Sequence, residues 1–400
     1  MTASALPLAA SRRRCRVDLI FFDAGGGHRA SAMALKAVAE RQRCAWDIRL
    51  LNLRDLLGPI DFIHNATGVR FEDFYNGLLK RGLTAGTGPM LRFSQMLIRL
   101  QHRRAVALFG QHWRVSPSDL VISVIPNFNR AIFEGLRAAD VAGGRAPTPM
   151  VTVLTDFADY PPHFWIERQE QYFICGSATA VEQALAMGHP PERIFRTSGM
   201  IVRPEFYQPR EISREYERRR LGLRGDLPTG LVMFGGFGSR QMVAIARRIA
   251  RARLGTQLIF LCGHNQRLRE RLSAMRLPFP IHVEGFSPDV HYFMRLADYF
   301  VGKPGPGSLS EALLMGLPVI VERNSWTMVQ ERFNTGWIRD EGLGVVLRSF
   351  GEIDRGVAPM LDAQQLAGFR TNVSALNNRA VFEIPDIIDS LLTSGPAALN

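Results

Sequence analysis

Short, fully apolar runs alternate with longer amphipathic stretches along most of the 400 residues. Val17-Asp18-Leu19-Ile20-Phe21-Phe22 reads as a buried strand, followed by a glycine loop and an alanine-rich helix from Ala30 to Gln42. Trp46 to Leu51, Leu120 to Ile125, Met150 to Leu154 and Gln171 to Cys175 predict further strands. Apolar strands separated by helices predict a parallel sheet covered on both faces. The pattern then restarts. A charged helix (Arg214 to Leu221) precedes a strand at Gly230 to Phe234, a second glycine loop, and strands at Gln257 to Cys262, Ile281 to Glu284, Tyr299 to Val301 and Pro318 to Val321. This divides the chain into a domain over 1–200, a linker over 201–228 and a second domain over 229–400, closed by a helix from Asp386 to Leu392. Two Rossmann-like halves bind ligands beyond the carboxyl ends of their strands, which places a shared site in the cleft between them.

One segment departs from this alternation. From Phe71 to Phe109, apolar residues interleave with Arg92, Arg99, Arg103 and Arg104 at roughly helical spacing. Such a helix can lie in an anionic bilayer surface, or it can be a surface helix packing its stripe on the core. No apolar run reaches the roughly 18 residues of a membrane span. The arginines of Met1 to Arg14 follow the apolar stretch rather than precede it, the reverse of a signal peptide. If the protein meets a membrane, it lies on it, with an expected cytoplasmic location on the inner face of the cell membrane.

Composition narrows the partners. The chain is 46% hydrophobic and 22% charged, ordinary for a globular protein. Its 49 basic and 37 acidic side chains leave a formal charge of +12. Only three of the basic residues are lysines (Lys36, Lys80, Lys303). That excess favours anionic partners. No aromatic-basic platform supports nucleic acid. The four cysteines are far apart, and no pair has zinc or redox spacing.

Three stretches carry chemistry. Gly25-Gly26-Gly27-His28-Arg29 joins a strand to a helix. Glycines admit a ligand close to the backbone, the helix start offers free N–H groups, and His28 at the mouth of the sheet suits a general base. A glycine run alone is equally a tight turn. Gly302-Lys303-Pro304-Gly305-Pro306-Gly307-Ser308-Leu309-Ser310-Glu311 also joins strand to helix. It presents N–H groups and a hydroxyl to a diphosphate, and a carboxylate one turn on to a ribose. After the next strand, Gln330, Glu331 and Asn334 suit the hydroxyls of a sugar, or form a solvated helix face.

In combination these residues resemble the monogalactosyldiacylglycerol synthases and processive diacylglycerol glucosyltransferases. Gly25–Ala32 (GGGHRASA), Lys303–Ala312 (KPGPGSLSEA) and Gln330-Glu331 with Asn334 are similar to that family's three main motifs. Val151–Asp156 (VTVLTD), Gly199–Pro204 (GMIVRP) and Gly263–Asn265 (GHN) fall between them in order. The resemblance runs over roughly 17–347 and extends to the N-acetylglucosaminyltransferase that makes lipid II. It implies an α/β GT-B fold, with the acceptor on the first half and a UDP-sugar on the second. Phe286 and Ser287 would meet uracil. Gly235, Gly236, Gly238 and Ser239, with Gly307 and Ser308, would meet the diphosphate, and Gly263, Lys303, Gly305 and Pro306 would belong to the same nucleotide-sugar site. Glu311 would hold the ribose, and Gln330, Glu331 and Asn334 the hexose. Gly26, Gly27 and Arg29, with Arg92, Arg99 and Arg103, would face the lipid acceptor and an anionic membrane surface. Val329 stands where the family has glycine, and Asn324-Ser325-Trp326-Thr327 is unusual for its loop.

The implied reaction is inverting displacement at the anomeric carbon, with His28 as base and Asp156 as second candidate. With no Asp-x-Asp motif, no metal and no further cofactor are expected. The alternatives are a polyprenyl-linked or soluble acceptor, a UDP-N-acetylglucosamine 2-epimerase, or a protein that binds the nucleotide sugar without transferring it.

Overall fold

The structure, a computed structural model, describes residues 14–23, 26–58 and 95–394. Two six-stranded sheets, parallel throughout, form its frame. The first contains β1 (Cys15–Phe21), β2 (Trp46–Asn52), β3 (Leu120–Ser123), β4 (Met150–Val153), β5 (Tyr172–Cys175) and β6 (Ile194–Arg196), in the order β2-β1-β3-β4-β5-β6. The second contains β7 (Thr229–Met233), β8 (Gln257–Leu261), β9 (Ile281–Glu284), β10 (Tyr299–Gly302), β11 (Val319–Glu322) and β12 (Gly344–Leu347), in the order β12-β11-β10-β7-β8-β9. This is the GT-B architecture.

The apolar runs became strands because both faces of each sheet are covered. Every residue of β3, β4, β7 and β8 is buried. The strand order reverses between β1 and β3 in the first sheet and between β7 and β10 in the second. At such a switch the connections leave in opposite directions and open a crevice at the carboxyl ends. The glycine loops after β1, β7 and β10 all lie at these two points.

Two expected boundaries shift. The region assigned as linker is partly core of the second unit: Val202, Phe206 and Leu223 pack with Leu231, Phe300 and Val319. Arg218 is buried there, donating to the Leu296 carbonyl and to Asp298 at 2.7 Å each. The final helix, Ala380–Ser394, is longer than expected. It packs on the first unit, with Val381, Ile384, Ile388 and Leu391 against Val17, Leu19 and Val38. Where the chain returns, Asn378 donates to the Met200 carbonyl at 2.9 Å and the Arg379 amide donates to the Ser198 hydroxyl at 2.7 Å. The two passages between the units are thereby bonded to each other.

Candidate active site

On the first unit, the helix Gly27–Arg41 starts directly beyond β1, with Gly26 in the left-handed region (φ 78°) and no side-chain cap. His28, its second residue, is half-buried. Its Nδ1 lies 3.2 Å from the Thr155 hydroxyl, and its ring lies 6.0 Å from that of Trp165. Burial lowers its pKa to about 4, against an opposing hydrogen bond to the Val124 backbone. The imidazole is therefore neutral at physiological pH and able to accept a proton. Arg29 is exposed and pairs with Asp23 at 3.5 Å. Arg99 and Arg103 are exposed beside Met96 and Leu100, which are 47% and 74% exposed. Gly25 and Arg92 lie outside the described residues.

Asp156 follows β4 and is buried. Its Oδ2 accepts from the Trp165 indole at 2.9 Å. Burial raises its pKa to about 7, with the charges of Glu331 and Asp159 adding to the effect and the indole opposing it. Asp159 accepts from the Trp165 and His163 amides, which fixes the loop that presents the indole. Asp156 belongs to the first unit and Glu331 to the second, so the charge of one acts on the other across the cleft. Phe157 and Trp337 also meet across it, with ring centres 4.7 Å apart.

On the second unit, the glycine loops after β7 and β10 flank Lys303. Its side chain comes close to the positions that Cβ atoms would take at Gly235 and Gly305. Cβ atoms built at Gly236 and Gly307 would meet open space, so both backbones face the cleft bare. The helix Pro306–Leu314 has no side-chain cap, so its first N–H groups are available to an anion. The Ser308 hydroxyl donates to the Gly305 carbonyl at 3.3 Å, and the Ser239 hydroxyl accepts from the Gln241 amide at 3.2 Å. Gly238 and Gly263 instead pack inward. Gly238 faces Leu268, and a Cβ on Gly263 would stand 2.1 Å from the Gly236 carbonyl oxygen.

Burial raises the pKa of Glu311 to about 7, against the opposing charge of Arg203 at 3.5 Å. Arg203 also donates to the Pro288 carbonyl at 3.4 Å. It therefore spans the expected ribose contact and the expected uracil loop. There Phe286 is 60% exposed and stacks on His264 at 4.2 Å and 15°. Ser287 accepts from the Asp289 amide. Burial also raises the pKa of Glu331, with Lys303 opposing.

Asn334 differs from expectation. It is 1% exposed, and its amide donates to the Pro304 carbonyl at 2.8 Å. Its amide thus braces the proline-glycine loop, while its Oδ1 is buried with no partner among the described residues. Gln330 is half-exposed, and its amide has no partner among the described residues. Sequence reasoning missed Arg203, Thr155 and Trp165 as site residues. Arg203 sits inside the GMIVRP stretch, which was the available signal.

No family model matches the chain. It is 29% identical to a probable monogalactosyldiacylglycerol synthase 2 of rice, over 96% of this chain and 83% of that one. It is also 29% identical to the monogalactosyldiacylglycerol synthase of spinach, over 94% and 72%. Solved structures share the fold at low identity. They include the calicheamicin glycosyltransferase CalG4 (14% identity, 96% of this chain and 100% of that one, TM-score 0.58) and MurG of Acinetobacter baumannii (14%, 94% and 99%, 0.58). A putative UDP-N-acetylglucosamine 2-epimerase of Listeria monocytogenes is also among them (16%, 95% and 96%, 0.57). The synthases are chloroplastic proteins, which overturns the expectation of a cytoplasmic location on the inner face of the cell membrane.

Proposed function

We propose that this chain is a hexosyltransferase that moves galactose or glucose from a UDP-sugar to diacylglycerol or a similar lipid. The observation that carries this reading is the convergence at the two switch points. Bare glycine backbones, an uncapped helix start and Lys303 face His28 and Asp156 across one cleft. Similarity to synthases of monogalactosyldiacylglycerol over nearly the whole chain supports the acceptor class and makes galactose the first donor to try.

The reaction is a direct displacement with inversion. The acceptor oxygen attacks the anomeric carbon as the bond to the UDP oxygen breaks. His28 takes the hydroxyl proton, with Asp156 as the second candidate. Glu331 and Gln330 hold the hexose, Glu311 the ribose, and Phe286 with Ser287 the uracil. The departing diphosphate gathers negative charge, which the N–H groups at the start of Pro306–Leu314 and the Lys303 ammonium stabilise. These groups supply the positive charge that a divalent ion would otherwise provide, so turnover is expected to survive EDTA. Met96, Leu100, Arg99 and Arg103 place the first unit on an anionic bilayer.

The test is to incubate the purified protein with diacylglycerol in anionic liposomes and a panel of UDP-sugars, and to read glycolipid by mass spectrometry. Hexosyl-diacylglycerol is the expected product. UDP release without glycolipid would move the acceptor elsewhere. UDP released from UDP-N-acetylglucosamine alone would favour an epimerase.

A further inference from the structure

The helix Gln241–Ala252 carries its apolar residues inward: Met242, Val243, Ile245, Ala246 and Ile249 are buried. Arg240, Arg247 and Arg251 recur at intervals of seven and four, which puts them on one outer stripe about 16 Å long. Arg271 joins them from the helix Gln266–Ser273, and these side chains line an open hollow of about 530 Å³ floored by Gly351. Arg248 lines it too, but its Nε and Nη2 donate to the two Asp354 carboxylate oxygens at 2.9 Å each. Among the described residues, the side chains of Arg240, Arg247, Arg251 and Arg271 have no hydrogen-bond or ion-pair partner.

Four unpaired guanidiniums around one concavity repel each other until an anion enters. Each offers a planar fork that matches a phosphate group. We propose that this hollow is a second anion site, distinct from the donor cleft, for a soluble ligand bearing several phosphate groups. Its concave form, with length for more than one phosphate, suits such a ligand better than a flat bilayer. A helix seated in a bilayer also needs apolar side chains facing outward. None of the large exposed apolar residues lies on Gln241–Ala252; Met96 and Leu100 belong to the other unit. The proposal does not depend on the transfer reaction.

The experiment uses the full chain with UDP in excess to fill the donor cleft, and titrates tripolyphosphate by calorimetry. Single-site binding is expected. It should weaken about tenfold in R247Q/R251Q and in R271Q, and strengthen at low salt. R219Q/R224Q removes two exposed charges elsewhere and should leave affinity unchanged. All the substituted side chains are exposed, so thermal melts should match the parent protein. In parallel, the same variants are sedimented with vesicles of phosphatidylcholine alone or mixed with phosphatidylglycerol. Absence of tripolyphosphate binding under UDP, or equal weakening in R219Q/R224Q, overturns the site. So does a loss of vesicle binding in R247Q/R251Q without any tripolyphosphate binding, which would assign the stripe to the bilayer.

Discussion

Nδ1 of His28 lies 3.2 Å from the hydroxyl of Thr155, and Asp156 is the next residue along the chain. The two candidate bases are therefore held by one turn, yet burial drives them in opposite directions, His28 to about 4 and Asp156 to about 7. This separates their roles by pH. With His28 as base, the acid limb of kcat/KM for the free enzyme falls near pH 4, because only below it is the imidazole protonated. H28Q should lose about 10²–10⁴ in kcat, and D156N should keep the limb. A limb near pH 7 that disappears in D156N moves the base to Asp156.

Asp156 also bears on stability. Its pKa is raised on folding from 3.8 to about 7. The native state therefore binds more protons than the unfolded chain between roughly pH 4 and 7. The stability this gives is full below the unfolded value and is lost as pH rises through the folded one. D156N is neutral at every pH. Relative to the parent, it should gain up to about 4 kcal/mol at pH 8 and little at pH 4. Thermal melts at the two pH values check this.

Arg203 holds down the pKa of Glu311. Without that cation the carboxyl titrates higher, so in R203Q Glu311 is more protonated at pH 7 and a poorer acceptor for ribose hydroxyls. The KM for the donor should rise about tenfold at pH 7, and the defect should shrink at pH 9. E311Q should raise KM at both pH values. An equal R203Q defect at pH 7 and pH 9 would mean that Arg203 touches the donor itself.

Gly263 has φ 58° and meets the Gly236 carbonyl closely. G263A forces the two loops apart and strains the backbone, a cost of about 1–3 kcal/mol. Calorimetric titration with UDP should show weaker binding together with a lower melting temperature.

Much of this was legible in the chain. Strands such as Leu120–Ser123 and Gln257–Leu261 are buried on both faces and read as plain apolar runs. β6 and β12 were not expected: β6 has three residues, none buried, and β12 opens on Gly344, a poor strand former. Arg218 read as part of a charged linker because a sequence does not reveal that Asp298 waits 80 residues away. Asn334 read as a sugar contact because the same amide serves a hydroxyl or a carbonyl equally well, and only the turn of the loop selects Pro304. The final helix was legible from Asp386 to Leu392, but its core partners lie in β1 and the helix Gly27–Arg41, more than 300 residues away.

That last helix has a topological consequence. β1 and Ala380–Ser394 share one core, so the second unit is an insertion within the first, joined to it at two places. Those joints are fused side by side: the Ser198 amide donates to Glu383 at 2.8 Å, and a Cβ on Gly199 would stand 2.6 Å from the Asn378 side chain. A protease that cut a single passage would leave the two halves tethered by the other.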